Sequence, residues 1–377
     1  MKNIFKILFA IILCLLLWLL ILVFKFENIE KNVNPINNKA RVNKTETDSK
    51  KIIEDQDSNI SKIDNYLKSS NFNGNITIFK NEKLVMNKGY GYRDFTKQIK
   101  NDSNSMYLIG SANKFLTGLI LIQLEDEKKI KLIDNVNKYI PHFSDNYPIT
   151  IRDLMLHQSG LKKYNRNQSF HGLNQSIVHI KKNGIDPKFY LKYHYNDVNY
   201  IILSKVIESV SGMKYKDLLN EYLLNKGHLN HTSLYNEFSK SKYFTKGYLS
   251  YELNPIESKP ENLDQFFGAG NVYMSTYDLS NLMLNLKYNN IVSPEVKKVI
   301  FSNDNTFPKS YRYGFYVFPT HERIHGNFYG NDIVQYSNNE YIITLASNYI
   351  PKPYNNEVEK DLKHIFIKIL KQPYKQQ

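Results

Sequence analysis

Residues 107–121 read YLIGSANKFLTGLIL, and the reading of this stretch decides the fold. Tyr107-Leu108-Ile109-Gly110 has the look of a short strand closing in a turn. From Ser111 to Glu125, apolar residues recur at Phe115, Leu116, Leu119, Ile120, Ile122 and Leu124, the pattern of a largely buried helix. Ser111 and Lys114 are three apart, so at a helix start the hydroxyl and the amine share one face. The helix N-terminus adds positive potential for a developing oxyanion. A lysine buried there is expected to lose proton affinity and to act as a base for the serine. The competing reading is an N-cap serine followed by a surface lysine.

Ser-x-x-Lys by itself is weakly specific. It occurs four times, at Ser111/Lys114, Ser159/Lys162, Ser211/Lys214 and Ser239/Lys242. Only Ser111 follows a strand-like turn and opens a long apolar helix.

Working outward, Asn75–Phe79 and Lys83–Tyr90 alternate about the turn Asn81-Glu82, which predicts a hairpin. Ile151–Leu156 and Asn199–Val210 read as helices. Tyr313–Phe318, Arg323–Phe328, Ile333–Tyr336 and Tyr341–Ser347 read as consecutive strands, and Val358–Leu370 as a closing amphipathic helix. Strands at both ends with helices between predict an α+β fold, an antiparallel sheet flanked by helices and joined to an all-helical lobe.

Three further segments carry a family resemblance. Residues 149–161, ITIRDLMLHQSGL, 195–200, YNDVNY, and 268–279, GAGNVYMSTYDL, follow the serine motif in order. Together the four stretches resemble the serine β-lactamase and penicillin-binding-protein superfamily in its class C-like branch, whose nucleophile motif is Ser-x-x-Lys. The likeness covers roughly 61–370 and implies a β-lactamase-like fold. FNGNITIF, KGYGYRDF, GIDPK and YRYGFY sharpen it toward the staphylococcal FmtA-type group, penicillin-binding-like esterases that remove D-alanine from teichoic acids.

The resemblance implies roles. Ser111 becomes the nucleophile and Lys114 its base. Tyr195, ahead of Asn196-Asp197 and an apolar helix, becomes the proton shuttle to the leaving group, against the alternative that it is one of 29 ordinary tyrosines. Asp197 stands where the wider superfamily usually has Asn. It reads either as a helix cap or as a carboxylate for the ammonium of a D-alanyl ester. His325-Gly326-Asn327 is a loose match to the third superfamily motif. There His325 reads as a carboxylate binder or as an ordinary strand histidine, and Phe328 N–H is expected to join Ser111 N–H as the oxyanion hole. His157 is expected to hold a turn, and Gly268 and Gly270 to permit close backbone approach.

The chain has 377 residues, enough for one large domain or two lobes sharing a cleft. Ile7–Phe24 is 18 apolar residues long, with Lys2 and Lys6 before it. That length spans a hydrocarbon core, and the charge places the bulk of the chain outside. Residues 1–26 are therefore expected as an anchor or signal segment, 27–60 as a polar tether, and 61–377 as the hydrolase domain. The single cysteine, Cys14, lies in the apolar run, which excludes a disulfide or thiolate metal site from the rest. No HExxH is present, so no metal is expected, and the chemistry calls for no cofactor.

Net charge is +14, of which Lys2, Lys6 and Lys25 account for three. This favours a polyanionic partner, or else a lysine-rich surface that is merely solvated. No nucleic-acid-binding module is legible. The expected function is an extracytoplasmic serine esterase acting on D-alanylated teichoic acid, with β-lactams as covalent inhibitors. The alternatives are a low-affinity penicillin-binding D,D-peptidase or weak β-lactamase, and a non-catalytic wall-binding protein of the same fold.

Overall fold

The computed structural model describes residues 52–53, 57–163, 169, 171–221, 229–236, 241–251, 254–289, 291–302, 307, 310–351 and 357–376. Among them no helix is long and apolar enough to cross a membrane. The run 7–24 and the tether up to residue 51 lie outside the described residues.

The strands that frame the site are β1 (Ile52–Ile53), β2 (Gly74–Lys80), β3 (Lys83–Tyr90), β4 (Met106–Leu108), β5 (Thr232–Leu234), β6 (Val272–Ser275), β7 (Tyr311–Arg312), β8 (Phe315–Val317), β9 (Glu322–Phe328), β10 (Asn331–Ser337) and β11 (Tyr341–Ser347). The main sheet runs β1-β3-β2-β11-β10-β9-β8-β7, antiparallel throughout. A small sheet, β4-β6-β5, leads into the nucleophile turn.

The period-2 pattern of the strands divides the sheet between two cores. Ile76, Ile78, Ile343 and Leu345 face the helices α1 (Ser58–Ser69) and α7 (Glu357–His364). Phe79, Ile342 and Ala346 face the opposite core, where α2 (Asn113–Asp126) and the lobe helices α3 (Ile151–Met155), α4 (Gly172–Asn183) and α5 (Val198–Ser211) gather with α6 (Thr276–Tyr288). Polar groups in that interface are matched: Thr77 bonds Thr276 at 2.8 Å, and Ser280 meets Thr344 at 2.6 Å. The helix α2 is buried nearly all round, as its apolar sequence requires.

Three boundaries differ from the sequence reading. The polar tether was expected to reach residue 60, but Ile52 and Ile53 pair with Asn87 and Met86, and α1 begins at Ser58. Asp57 caps that helix, and its apolar stripe Ile60, Ile63 and Leu67 is fully buried. The strand expected over Tyr313–Phe318 begins two residues later, at Phe315, because Tyr313 and Gly314, both at positive φ, form the turn that joins β7 to β8. The last helix passes into a π turn at Ile365–Ile369.

Candidate active site

Ser111 does not begin the α-helix directly. Gly110, at φ +50°, bends the chain out of β4, and Gly110–Ala112 form a 3-10 turn that delivers Ser111 to the start of α2. One turn on, Lys114 is fully buried. Its Nζ donates to Ser111 Oγ at 3.1 Å, to Asp197 Oδ1 at 2.7 Å and to the Ala269 carbonyl at 3.3 Å. Helix spacing and two separate chain segments thus fix the amine.

This geometry corrects the expected proton affinity of Lys114. Burial does press it downward, but the Asp197 carboxylate and the Tyr195 hydroxyl outweigh burial and raise it above the ordinary lysine value. At rest the pair is an ammonium and a carboxylate. Asp197 sits at the N-cap position of α5, yet its side chain makes no capping bond. The capping alternative therefore falls, and the carboxylate is committed to Lys114 on one oxygen while remaining partly exposed.

Tyr195 lines the cleft with Ser111, and Lys114 Nζ lies 5.0 Å from its ring centroid. Its placement is built from the LMLHQSGL turn. His157, at φ +55°, packs its ring 4.4 Å from that of Tyr195 in a tilted contact, and its Nδ1 accepts from the Asn196 N–H at 3.3 Å and Asn199 Nδ2 at 2.9 Å. His194 N–H donates to the His157 carbonyl, and Ser159 Oγ to Asn199 Oδ1. Burial and the Lys114 charge hold His157 well below the usual imidazole range, so it is a neutral strut for the Tyr195 segment.

The glycine turn behaves as expected at only one of its two glycines. Gly268, at φ +72°, lies where a Cβ would sit 1.9 Å from Ser204 Oγ, so only glycine fits. It allows Thr117 to bond the Gly268 carbonyl at 2.8 Å and brings the Ala269 carbonyl to Lys114. A Cβ on Gly270 would make only ordinary contact with Phe328, so no close approach requires it.

On the facing strand, Gly326 packs directly on the nucleophile turn: a Cβ there would meet Ile109 O at 1.9 Å and Ala112 N at 2.5 Å. The register tells against Phe328 N–H as the expected oxyanion donor. Tyr329 and Gly330, both at positive φ, make a two-residue turn between Phe328 and Asn331. The pair flanking such a turn is hydrogen-bonded, which commits Phe328 N–H to β10. Alternation then leaves Asn327, opposite Asp332, with its N–H turned away from β10. Asn327 lines the cleft, and its carbonyl approaches Gly110. The Phe328 ring packs on Phe266 instead.

His325 also lines the cleft, and its Nε2 lies 2.9 Å from Oδ1 of the buried Asp332. Sequence reasoning missed Asp332, although the two-residue turn fixes a register that makes it the diagonal neighbour of His325. It also missed Tyr311, Gly314, Tyr316 and Arg323, which complete the wall of a cleft of about 380 Å³. Arg323 is held by a bidentate pair with Glu359, at 2.6 and 2.7 Å, so its charge is already matched.

An amine poised on a helix-start serine, braced by a carboxylate, is equipment for acyl transfer. Comparison with known proteins agrees with it. A Staphylococcus aureus (strain MRSA252) protein named teichoic acid D-alanine hydrolase is 45% identical over 330 residues, 86% of this chain and 82% of its own length. The crystal structure of FmtA from Staphylococcus aureus superimposes with a TM-score of 0.82 at 44% identity, covering 87% of this chain and 91% of that one. A class C β-lactamase shares the fold at 14% identity, with a TM-score of 0.64 over 84% of this chain and 95% of its own. Residues 61–362 match the Beta-lactamase family, and with the serine, lysine and facing strand in place the chain belongs to it.

Proposed function

We propose that the chain is an extracytoplasmic serine esterase that releases D-alanine from teichoic acids through an acyl-enzyme. The observation that carries this reading is the Lys114 ammonium shared between Ser111 Oγ and Asp197 Oδ1. The 45% identity to a protein named for that hydrolysis supports the substrate class.

The proton path follows from the contacts. As Ser111 Oγ attacks the D-alanyl carbonyl, its proton passes to Lys114, which yields one of its own to Asp197. The carbonyl electrons move onto oxygen, held by the Ser111 and Asn327 N–H groups. When the ester C–O bond breaks, Tyr195 protonates the departing polyol oxygen and is reprotonated from the Lys114–Asp197 pair. Water then attacks the acyl-enzyme by the reverse path, releasing D-alanine and Ser111. The exposed part of Asp197 receives the substrate ammonium. The apolar run Ile7–Phe24 would anchor the chain in the membrane with this domain on the wall side.

One observation favours a second reading. His325, backed by Asp332, is a cleft cation when protonated and suits a substrate carboxylate, as a β-lactam or a peptide presents. Asp197 opposes that substrate. Alanine release from purified D-alanylated teichoic acid, measured beside hydrolysis of a chromogenic β-lactam, separates the two. Ser111→Ala should abolish alanine release and fluorophosphonate labelling together. Undiminished release in that variant would remove the acyl-enzyme, and absence of Ser111 labelling in the wild type would favour a non-catalytic scaffold.

A further inference from the structure

Some lysines of this protein are matched by acids. Lys68 pairs with Asp64, Lys80 with Asp57, Lys138 with Asp134, Lys205 with Glu208, Lys246 with Glu257 and Lys287 with Glu322. One stretch is notably poor in acids for its lysines. Among the described residues from His157 to Tyr195 there are six lysines, Lys162, Lys163, Lys181, Lys182, Lys188 and Lys192, and one acid, Asp186. All six lysines are exposed. Asp186 spends its carboxylate on the Lys188 backbone N–H, within its own turn.

The backbone brings these lysines onto one strip. Lys162 N–H donates to the Gly184 carbonyl, which sets Lys162 and Lys163 beside the last turn of α4 with Lys181 and Lys182. Asp186 N–H returns to Gly160 O, Leu191 N–H to Gln158 O and His194 N–H to His157 O. The segment 184–194 therefore runs along 157–162 and ends at Tyr195 in the cleft wall. Tyr193 reaches the cleft residue Tyr316 at 3.3 Å, so Lys192 stands at the rim. Lys181 and Lys182 have a local reason, since cations suit a helix C-terminus. Lys188 lies over the Phe189 ring, 5.5 Å from its centroid. Lys162, Lys163 and Lys192 have no such local reason, and the mutual repulsion of the strip is a standing cost unless an anion meets it.

We infer that this strip is the landing surface for a phosphate-bearing polymer and feeds it toward Ser111; the inference rests on the esterase reading above. Polymer phosphates would be held by summed, salt-sensitive attraction, while the reacting ester is bound in the cleft.

The test neutralises four lysines in the full-length protein, Lys162→Gln, Lys163→Gln, Lys188→Gln and Lys192→Gln. A control removes the same charge elsewhere, at the exposed Lys97, Lys100, Lys128 and Lys131. Binding is read with chemically deacylated poly(glycerol phosphate) teichoic acid at low salt, and turnover with both the D-alanylated polymer and a small soluble D-alanyl ester. Removing four weak charge attractions together should lower polymer affinity and polymer kcat/KM on the order of tenfold. The small ester should be turned over within about twofold of wild type, and the control should behave as wild type, because the strip lies outside the catalytic machinery. Equal polymer binding by the strip variant and the control would overturn the inference. So would loss of binding to phosphatidylglycerol vesicles with polymer binding intact, which would assign the strip to a lipid surface. If the wild type releases no alanine from the polymer, the esterase reading fails, and the binding arm still decides the strip.

Discussion

Lys114 Nζ lies closer to Asp197 Oδ1, at 2.7 Å, than to the Ser111 Oγ it serves, at 3.1 Å. The base is therefore a pair, and its proton balance is set by a residue outside the Ser-x-x-Lys motif. Burial alone would push Lys114 toward the neutral amine, and the Asp197 charge reverses that.

Replacing Asp197 by Asn keeps the shape and removes the charge. Lys114, buried without a counter-ion, should then lose its proton more readily. If Asp197 also receives the substrate ammonium, kcat/KM for a D-alanyl ester should fall on the order of tenfold or more, since a charge-assisted contact is worth roughly 1.5–3 kcal/mol. Acylation by a β-lactam should hold or rise, because no carboxylate repels the one on the drug. Both rates falling in parallel would confine Asp197 to its service of Lys114.

Two buried histidines set an acid limit to stability. Burial and the Lys114 charge lower His157 well below its ordinary value, and burial with the Arg323 charge lowers His321 to about 4. A depressed histidine binds its proton first in the unfolded chain. Its contribution is thus complete above about pH 6.5 and is lost as pH falls below that value. For His321 the loss continues to about pH 4 and amounts to at most about 3 kcal/mol. Melting temperature should fall between pH 6.5 and 4, and His321→Phe should flatten that fall. An unchanged slope in the variant would discharge His321 from the effect. Asp64 and Glu359, lowered to about 2 by Lys68 and Lys88 and by Arg323, act in a separate window below about pH 4.

What the sequence made legible is what is local. Ser111 and Lys114 are one helical turn apart, so their meeting follows from spacing. The hairpin at Asn81-Glu82 and the strand Tyr341–Ser347 follow from period 2, since one-residue slips would turn Ile343 and Leu345 out of their core. The charge state of Lys114 was not legible, because it depends on Asp197, 83 residues away. Nor was the bidentate pair of Arg323 with Glu359, which joins β9 to α7 across 36 residues. The oxyanion donor lies between these cases. Tyr329-Gly330 fixes which rung of the hairpin is hydrogen-bonded, and motif spacing alone does not show that this rung includes Phe328.

The approach of β9 to the nucleophile turn gives the most discriminating substitution. Gly326 has no positive φ, so its need for glycine is one of space and not of backbone conformation. An added methyl would meet Ile109 O at 1.9 Å, Ala112 N at 2.5 Å and Ser111 N at 2.9 Å. These are backbone atoms and cannot swing aside like a flexible side chain, so either β9 or the Gly110–Ala112 turn must move. Either displacement separates Ser111 from the Asn327 N–H, and a shift of about 1 Å at a reacting group costs on the order of 100-fold in rate. Gly326→Ala should therefore lower kcat for a small D-alanyl ester by about that factor. Gly212→Ala is the matched comparison. Gly212 closes α5 at φ +71° with nothing within 4 Å of the added methyl. It should cost about 1 kcal/mol of stability through backbone strain and leave kcat near wild type. Melting curves and kcat for both variants decide the point: a Gly326→Ala enzyme that keeps wild-type kcat would show that the strand does not set the nucleophile, whatever its effect on stability.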